Sequence, residues 1–471
     1  MLQKLNRTTT SNLARPVKIL QFGEGNFLRA FVDWIVDVLN KKTDFNSAVE
    51  IVQPIRNGMA KALNEQDGLY HVLLKGIQQG KVFSETRLIT CVSHGMNPYE
   101  DFQDFLKKAE NPELKFIVSN TTEAGITFNS TDSNSSELAE GFPGKVTQLL
   151  FHRYKFFKGD GTKGLIFLPC ELIEKNGEAL KKALHDYAKL WNLPGDFITW
   201  VNDSNIFCNT LVDRIVPGFP KDTIHEVHAS IGYEDNLVVQ AEPFHLWVIE
   251  GPESLQGHLP TKQAGLEVKF VDDLTPYRTR KVRILNGAHT TLVPVAYLAG
   301  FRTVKESIDD PTIGTYIRNT IFTEIIPTLD LPHDELKQFA NDVIERFQNP
   351  FIKHELLSIA LNSISKYKVR VLPSVLEYKK RTGKLPENLL YSLAALIRFY
   401  KGEWQGSEIP LNDSPEILSF FKDAWKTNSI ADVVNHVLSN ESFWGQDLTR
   451  IDGMTSMVKT ALIQLERSEN P

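Results

Sequence analysis

The hydrophobic pattern of this chain changes period once, near residue 273, and no other feature constrains the fold as much. Before that point short apolar runs alternate with longer helix-like stretches. Val17–Phe22 (VKILQF), Ala48–Val52, residues 114–120 (LKFIVSN) and residues 164–170 (GLIFLPC) read as buried strands, with helices between them. Parallel neighbours need long crossover connections, so this alternation predicts a parallel sheet layered with helices. Residues 236–250 and 268–272 read as further strands, and the polar stretch 128–139 as a surface loop. After Pro276 apolar residues recur at three and four. Residues 334–347, 354–364, 386–400, 415–426 and 454–467 are expected to be helices, punctuated by Pro and Gly.

These patterns predict an α/β domain over residues 1–273 and a mostly α-helical domain over 274–471. At ~150 residues per domain, a length of 471 residues suits about two to four domains, or two large ones. The formal net charge is −6, which gives no basic field for nucleic acid or an anionic membrane. No apolar run approaches the ~18 residues of a membrane span. The N-terminal residues hold Arg, Ser and Thr without acids, a faint likeness to a transit peptide, but they form no apolar signal core. Cys91, Cys170 and Cys208 are scattered and odd in number, so neither a disulfide framework nor a zinc site is expected. A reduced, cytoplasmic protein is the expectation; oligomeric state cannot be read from the sequence.

Between the first strand and the first helix (residues 26–39) runs Gln21-Phe22-Gly23-Glu24-Gly25-Asn26-Phe27. A dinucleotide-binding, Rossmann-type fold needs glycine here. One glycine makes the tight turn, and the next lets a pyrophosphate approach the helix N-terminus. Leu28 stands where the usual pattern has a third glycine, so the motif alone would also suit a plain strand–turn–helix. The second strand should end in an acid for the ribose hydroxyls of NAD. It ends instead in Gln53-Pro54-Ile55-Arg56, and Arg56 would suit a 2′-phosphate, which leaves NAD and NADP open. Asn120, Thr121, Thr122 and Glu123 follow a later strand, where loops line the ligand crevice; they would equally serve as helix caps.

A helix opening near Pro276 carries Lys281, Asn286 and His289. At ~100° per residue Asn286 lies ~140° and His289 ~80° from Lys281, so the three can share a face. Beside a bound nicotinamide such a set can reduce a ketone. Lys281 would supply the proton, Asn286 would donate to the developing oxyanion, and His289 would orient the substrate or the lysine. Arg278 projects to the same side and could hold a carboxylate with two parallel hydrogen bonds. A solvated basic helix with a satisfied histidine is the alternative.

Lys281-Val-Arg-Ile-Leu-Asn286-Gly-Ala-His289 resembles the K-x(4)-N-x(2)-H signature of the polyol-specific long-chain dehydrogenases, the mannitol dehydrogenase family. Phe207–Pro217 is similar to that family's V-D-R-I segment, and Arg346-Phe-Gln-Asn-Pro350 to its R-F-x-N-P segment. The runs from Gln21 to Trp34, Ser119 to Ile126, Pro169 to Ile173 and Leu285 to Thr290 are similar to the branch of the family that interconverts D-tagaturonate and D-altronate. The resemblance implies a Rossmann-type N-terminal domain with a parallel sheet and added strands, a mostly helical C-terminal domain, and a site between them. It also implies NADH (NAD) as cofactor and a hexuronate or hexonate as small-molecule substrate in hexuronate catabolism. Lys281 is then the general acid/base, completed by Asn286 and His289. Two departures stand out. Leu172 replaces the Asn of the family's C-D-N segment, and Arg278 replaces an acid. An arginine attracts a hexuronate where an acid would repel it; Lys366 is expected to assist. The rivals are a mannitol- or mannonate-type polyol dehydrogenase using NAD(P), and a catalytically silent dinucleotide-binding sensor.

Overall fold

The computed structural model describes residues 2–8, 14–122, 124–132, 135–427 and 429–469. The N-terminal stretch 9–13, Glu123 and two residues of the 128–139 loop thus lie outside the described residues. The chain divides into two compact units. One comprises Met1–Lys75 with Val82–Leu274, the other Gly76–Lys81 with Thr275–Pro471.

The first unit is built on six parallel strands: β1 (Val17–Phe22), β2 (Ala48–Val52), β3 (Val92–Met96), β4 (Phe116–Ser119), β5 (Ile166–Pro169) and β6 (Ile206–Phe207). Their order across the sheet is β3-β2-β1-β4-β5-β6. The chain winds one way from β1 to β3 and the other way from β4, so the carboxyl ends of β1 and β4 flank a topological switch point, where such sheets bind ligands. In register, Phe22 lies beside Val52 on one side and Ser119 on the other. Both faces of the sheet are covered, which explains the near-continuous apolar runs. Ile19 packs into the core that holds helix α1 (Asn26–Lys42). Leu20 and Phe22 pack into the opposite core with helix α2 (Phe142–Phe156) and helix α3 (Asn176–Leu190). Burying a side chain the size of Phe22 is worth about 1.5–3 kcal/mol.

Two expectations for this unit need correction. The region after β2 was expected to be helical. Between β2 and β3 it contains only a short helix, Ala60–Glu65, and then a long hairpin, Tyr70–Gln78 and Lys81–Ile89. The hairpin turns on Gln79 and Gly80, both at positive φ (53° and 72°), the two-residue turn that matches strand twist. The predicted strand 236–250 is two strands, Val239–Ala241 and Leu246–Glu250, in different sheets. Pro243 lies in the gap, where its fixed φ and missing N–H end the ladder. Leu246–Glu250 pairs antiparallel with Asn209–Asp213 and parallel with Val268–Val271, the added strands of this unit.

The second unit is mostly helical. Helix α4 (Thr275–Arg280) runs into a π-helical turn, Lys281–Asn286, and on into helix α5 (Gly287–Leu298). All twelve residues of α5 are buried, so it is the helix around which others pack. They include α6 (His333–Phe347), α7 (Ser363–Arg370), α8 (Glu387–Phe399) and α9 (Met454–Glu469); of these, α7 and α8 lie directly on α5. The single helix expected over 354–364 is instead a short turn, Leu356–Ile359, separated from α7 by Asn362 in the left-handed region (φ 53°). The N–H of Asn362 is drawn away to the carbonyl of Asn412 (2.9 Å), which breaks the helix there. Among the described residues no helix is long and apolar enough to cross a membrane.

Candidate active-site residues

In the first unit the turn after β1 turns its carbonyls inward. The amide of Gln21, a fully buried side chain, donates to the carbonyl of Gly23 (3.1 Å). Arg29, also buried, donates Nε–H to the carbonyl of Glu24 (3.0 Å) and Nη2 to Oδ1 of Asn26 (2.8 Å). Its third contact is the carbonyl of Leu237. Helix α1 opens with Gly25 as N-cap, no side-chain cap and no acid in the first turn. That end of a helix favours an anion. Gly23 sits at φ +124°, and a Cβ on it would stand 2.9 Å from the carbonyl oxygen of Asn120. A Cβ on Gly25 would meet no protein atom within 4 Å. The residues thus fit a pyrophosphate: one glycine permits the turn and the other leaves the approach open.

The other residues of the turn have distinct places. Phe22 is fully buried against Phe105 and Phe142, so only its backbone can face a ligand. Phe27 stacks on Phe31 (5.0 Å between centroids). Glu24 turns under the loop after β2, where it accepts the N–H of Met59 (3.2 Å), and burial pushes its carboxyl pKa up.

Beneath the turn, Asp33 accepts the hydroxyl of Tyr70 (2.7 Å) in a fully buried cluster. Burial raises its pKa to about 7, although the hydrogen bonds from Tyr70 and Gln21 and the Arg29 charge all act to lower it. In the unfolded chain an aspartate titrates near ~3.9. The folded state therefore holds the extra proton between roughly pH 4 and 7, and its stability falls as pH rises through that window. Asp33→Asn lacks this titration. The melting temperature of the variant minus that of wild type should climb from pH 4 to pH 8, and a flat difference would show that Asp33 does not titrate there.

After β4, the N–H of Asn120 donates to the carbonyl of Phe22 (3.0 Å), which ties the two ends that flank the switch point. Thr121 donates both N–H (3.0 Å) and hydroxyl (2.9 Å) to Glu171, which also accepts the hydroxyl of Ser119 (3.0 Å). Thr122 is exposed and held at φ +75°, a strained conformation for a β-branched residue. The sequence assigns no role to Glu171. It is a buried carboxylate after β5 that fixes the loop carrying Asn120–Thr122, and the clue available was an acid directly after an apolar strand.

In the second unit Lys281 opens the π turn and Asn286 closes it. A π turn carries more residues than an α turn, so each residue advances by less than 100°. Asn286 therefore swings back toward the side of Lys281, and the pair is closer to one face than α geometry predicts. Such widened turns are frequent at functional sites. His289 follows in α5, nearly buried. Its ring stacks on Phe347 (4.1 Å, 17°) and meets His354 edge-on (5.1 Å, 80°). The R-F-x-N-P segment thus contributes the ring that fixes the imidazole plane.

Arg278 and Lys366 are both half-buried. The Lys366 ammonium donates to the carbonyl of Ile359 (2.8 Å), and burial, helped by nearby Arg370, lowers its pKa. Arg280 instead points into the unit, paired with Glu335 (2.8 Å) and lying over the Phe339 ring. Leu172, in place of the family's Asn, is exposed. Among the described residues no group of three or more His, Cys, Asp or Glu is placed to hold a metal.

The strand order, the open glycine turn and the polar π turn are those of a Rossmann-type dehydrogenase with a helical partner domain. Comparison with known proteins gives the family. The mannitol dehydrogenase Rossmann domain matches residues 17–263, and the mannitol dehydrogenase C-terminal domain matches residues 273–466. An altronate oxidoreductase of Bacteroides thetaiotaomicron is 50% identical over 467 residues, 99% of this chain and 98% of the relative. One from Bacillus subtilis is 47% identical over 464 residues, 98% and 95% respectively. A substrate-free D-sorbitol dehydrogenase shares the fold with a TM-score of 0.82 at 23% identity, over 99% of this chain and 98% of that one. So does Pseudomonas fluorescens mannitol 2-dehydrogenase, solved with NAD and D-mannitol, at a TM-score of 0.68 and 22% identity over the same shares. The chain belongs to the mannitol dehydrogenase family and is an oxidoreductase acting on CH–OH groups.

Proposed function

We propose that this protein catalyses the reversible, NADH-dependent reduction of D-tagaturonate to D-altronate. The observation that carries this reading is identity of 46–50% across nearly the whole chain to proteins named altronate oxidoreductase. NAD as cofactor is supported by the switch-point order of the sheet and by the uncapped helix behind Gly23 and Gly25. The first-turn amides of α1 would hold the diphosphate, and the loop Asn120–Thr122 would border the nicotinamide end. When bound, the cofactor supplies a hydride to the ketone carbon. Lys281 gives its proton to the ketone oxygen, so ketone, hydride and proton balance to the alcohol. Asn286 donates a hydrogen bond to the same oxygen as charge develops on it. His289, its plane fixed by Phe347, orients the substrate hydroxyls.

Tagaturonate and fructose both carry a ketone beside a terminal hydroxymethyl group and differ at the far end, where tagaturonate has a carboxylate. Arg278, with Lys366, is proposed to read that carboxylate. The direct test follows NADH absorbance with tagaturonate, fructose and fructuronate side by side. Turnover of tagaturonate should dominate, and preference for either of the others would replace the reading. In Arg278→Ala, kcat/KM for tagaturonate should fall roughly 10- to 100-fold, the loss of one or two charge-assisted hydrogen bonds. Activity on fructose should change little. Equal losses on both substrates would remove Arg278 from carboxylate recognition.

A further inference from the structure

The loop after β2 is where a switch-point fold meets the adenosine ribose. Gln53 stands where an acid would accept the ribose hydroxyls, but it is buried and its amide donates to the carbonyls of Ile55 and Arg56 (2.9 Å each). The charged side chain of the loop is Arg56. Its Nη2 donates to Oε1 of Glu140 at 2.5 Å, and its guanidinium lies over the ring of Tyr99, 4.9 Å from the centroid. The hydroxyl of Tyr99 donates to the carbonyl of Pro54 (3.3 Å) and reaches Oε2 of Glu140 (3.5 Å). Lys145 donates to the carbonyl of Glu140 (2.7 Å) and lies over the same ring. Glu140 comes from the segment that leads from β4 into α2, so the pair ties the loop after β2 to the segment after β4. Both side chains are exposed, at 70% and 52%. An exposed pair contributes little to stability, yet it lies within reach of a ligand.

We propose that Glu140 sets the ribose specificity of the cofactor site. It neutralises Arg56 and places a carboxylate beside the guanidinium, so the site takes a dinucleotide with a free 2′-hydroxyl and rejects one with a 2′-phosphate. The inference rests on the reading that the first unit binds a nicotinamide dinucleotide. Arg56 alone would be a ready phosphate partner, since a guanidinium matches phosphate with paired hydrogen bonds. With Glu140 in place, a doubly charged phosphate meets a like charge and must compete for donors already engaged.

The test is calorimetric titration of the full chain with NADH and with NADPH, in the absence of sugar substrate, at low salt. Wild type should bind NADH the more tightly. Glu140→Gln keeps the size and the hydrogen-bonding oxygen but removes the charge. It should tighten NADPH roughly tenfold relative to NADH. Adding Arg56→Ala to that variant should cancel the gain, and 1 M salt should shrink it, neither of which a merely structural role for Glu140 would produce. An unchanged ratio of the two Kd values in Glu140→Gln, or a wild type that binds NADPH as tightly as NADH, would overturn the assignment. A wild type that binds neither dinucleotide would overturn the cofactor reading itself and the inference with it.

Discussion

Lys281→Ala should lower kcat for tagaturonate reduction by roughly 10²- to 10⁴-fold, the range for removing a positioned proton donor. NADH affinity should stay within about twofold, because the helix N-terminus that would hold the diphosphate belongs to the other unit. The chemical step should then limit turnover, so a deuterated nicotinamide should show a full isotope effect on kcat. Added primary amines should restore part of the rate in the alanine variant, since a small ammonium can enter the vacated space. Near-normal turnover in Lys281→Ala would remove the residue from the mechanism. A loss shared equally with NADH affinity would point to a folding defect.

The second large effect is expected at the glycine turn, where the two glycines should fail differently. Gly23→Ala forces a side chain into φ +124°, about 1–3 kcal/mol of strain. It also sets a methyl group 2.9 Å from the carbonyl oxygen of Asn120 and 3.2 Å from the Leu28 side chain. Both the melting temperature and NADH affinity should drop, the latter by about two orders of magnitude, because the ends of β1 and β4 are pushed apart. Gly25 is different: its φ of −64° is open to any residue, and a Cβ there meets no protein atom. Gly25→Ala should melt like wild type and still lose NADH affinity, because the methyl group fills the diphosphate's approach. If Gly25→Ala binds NADH normally, the ligand does not sit on this turn.

The local parts of the fold were legible because local chemistry decides them. Val17–Phe22 and Ala48–Val52 end where the sequence says they should, since apolar runs bounded by turn residues are read by burial alone. The hairpin 70–89 is not legible although its turn holds a glycine, because residues 70–74 are buried on both faces and Leu73 interrupts the alternation. Pairing order is not local, and no residue of β1 announces that β2 and β4 will be its neighbours. The same holds for polar partners. Arg56 looked like a phosphate reader because Glu140 lies 84 positions away in sequence. Glu171 reaches back 50 positions to Thr121. Lys281, Asn286 and His289 were visible as a set, but their spacing was judged with α-helical increments, and the π turn between the first two leaves no compositional mark.

That widened turn behaves as one surplus amino acid looped into an otherwise regular helix. Its removal by a single-codon deletion between Val282 and Leu285 would let the segment relax to ordinary winding, at little conformational cost. The helix downstream, including the wholly buried α5, would keep its orientation, because four ordinary increments of ~100° return Asn286 to nearly the same side of the lysine as five narrower ones. Shortening it by one position would thus alter the backbone between Lys281 and Asn286 while the packing of α5 stays as it is, which makes this deletion a small genetic change expected to separate folding from catalysis.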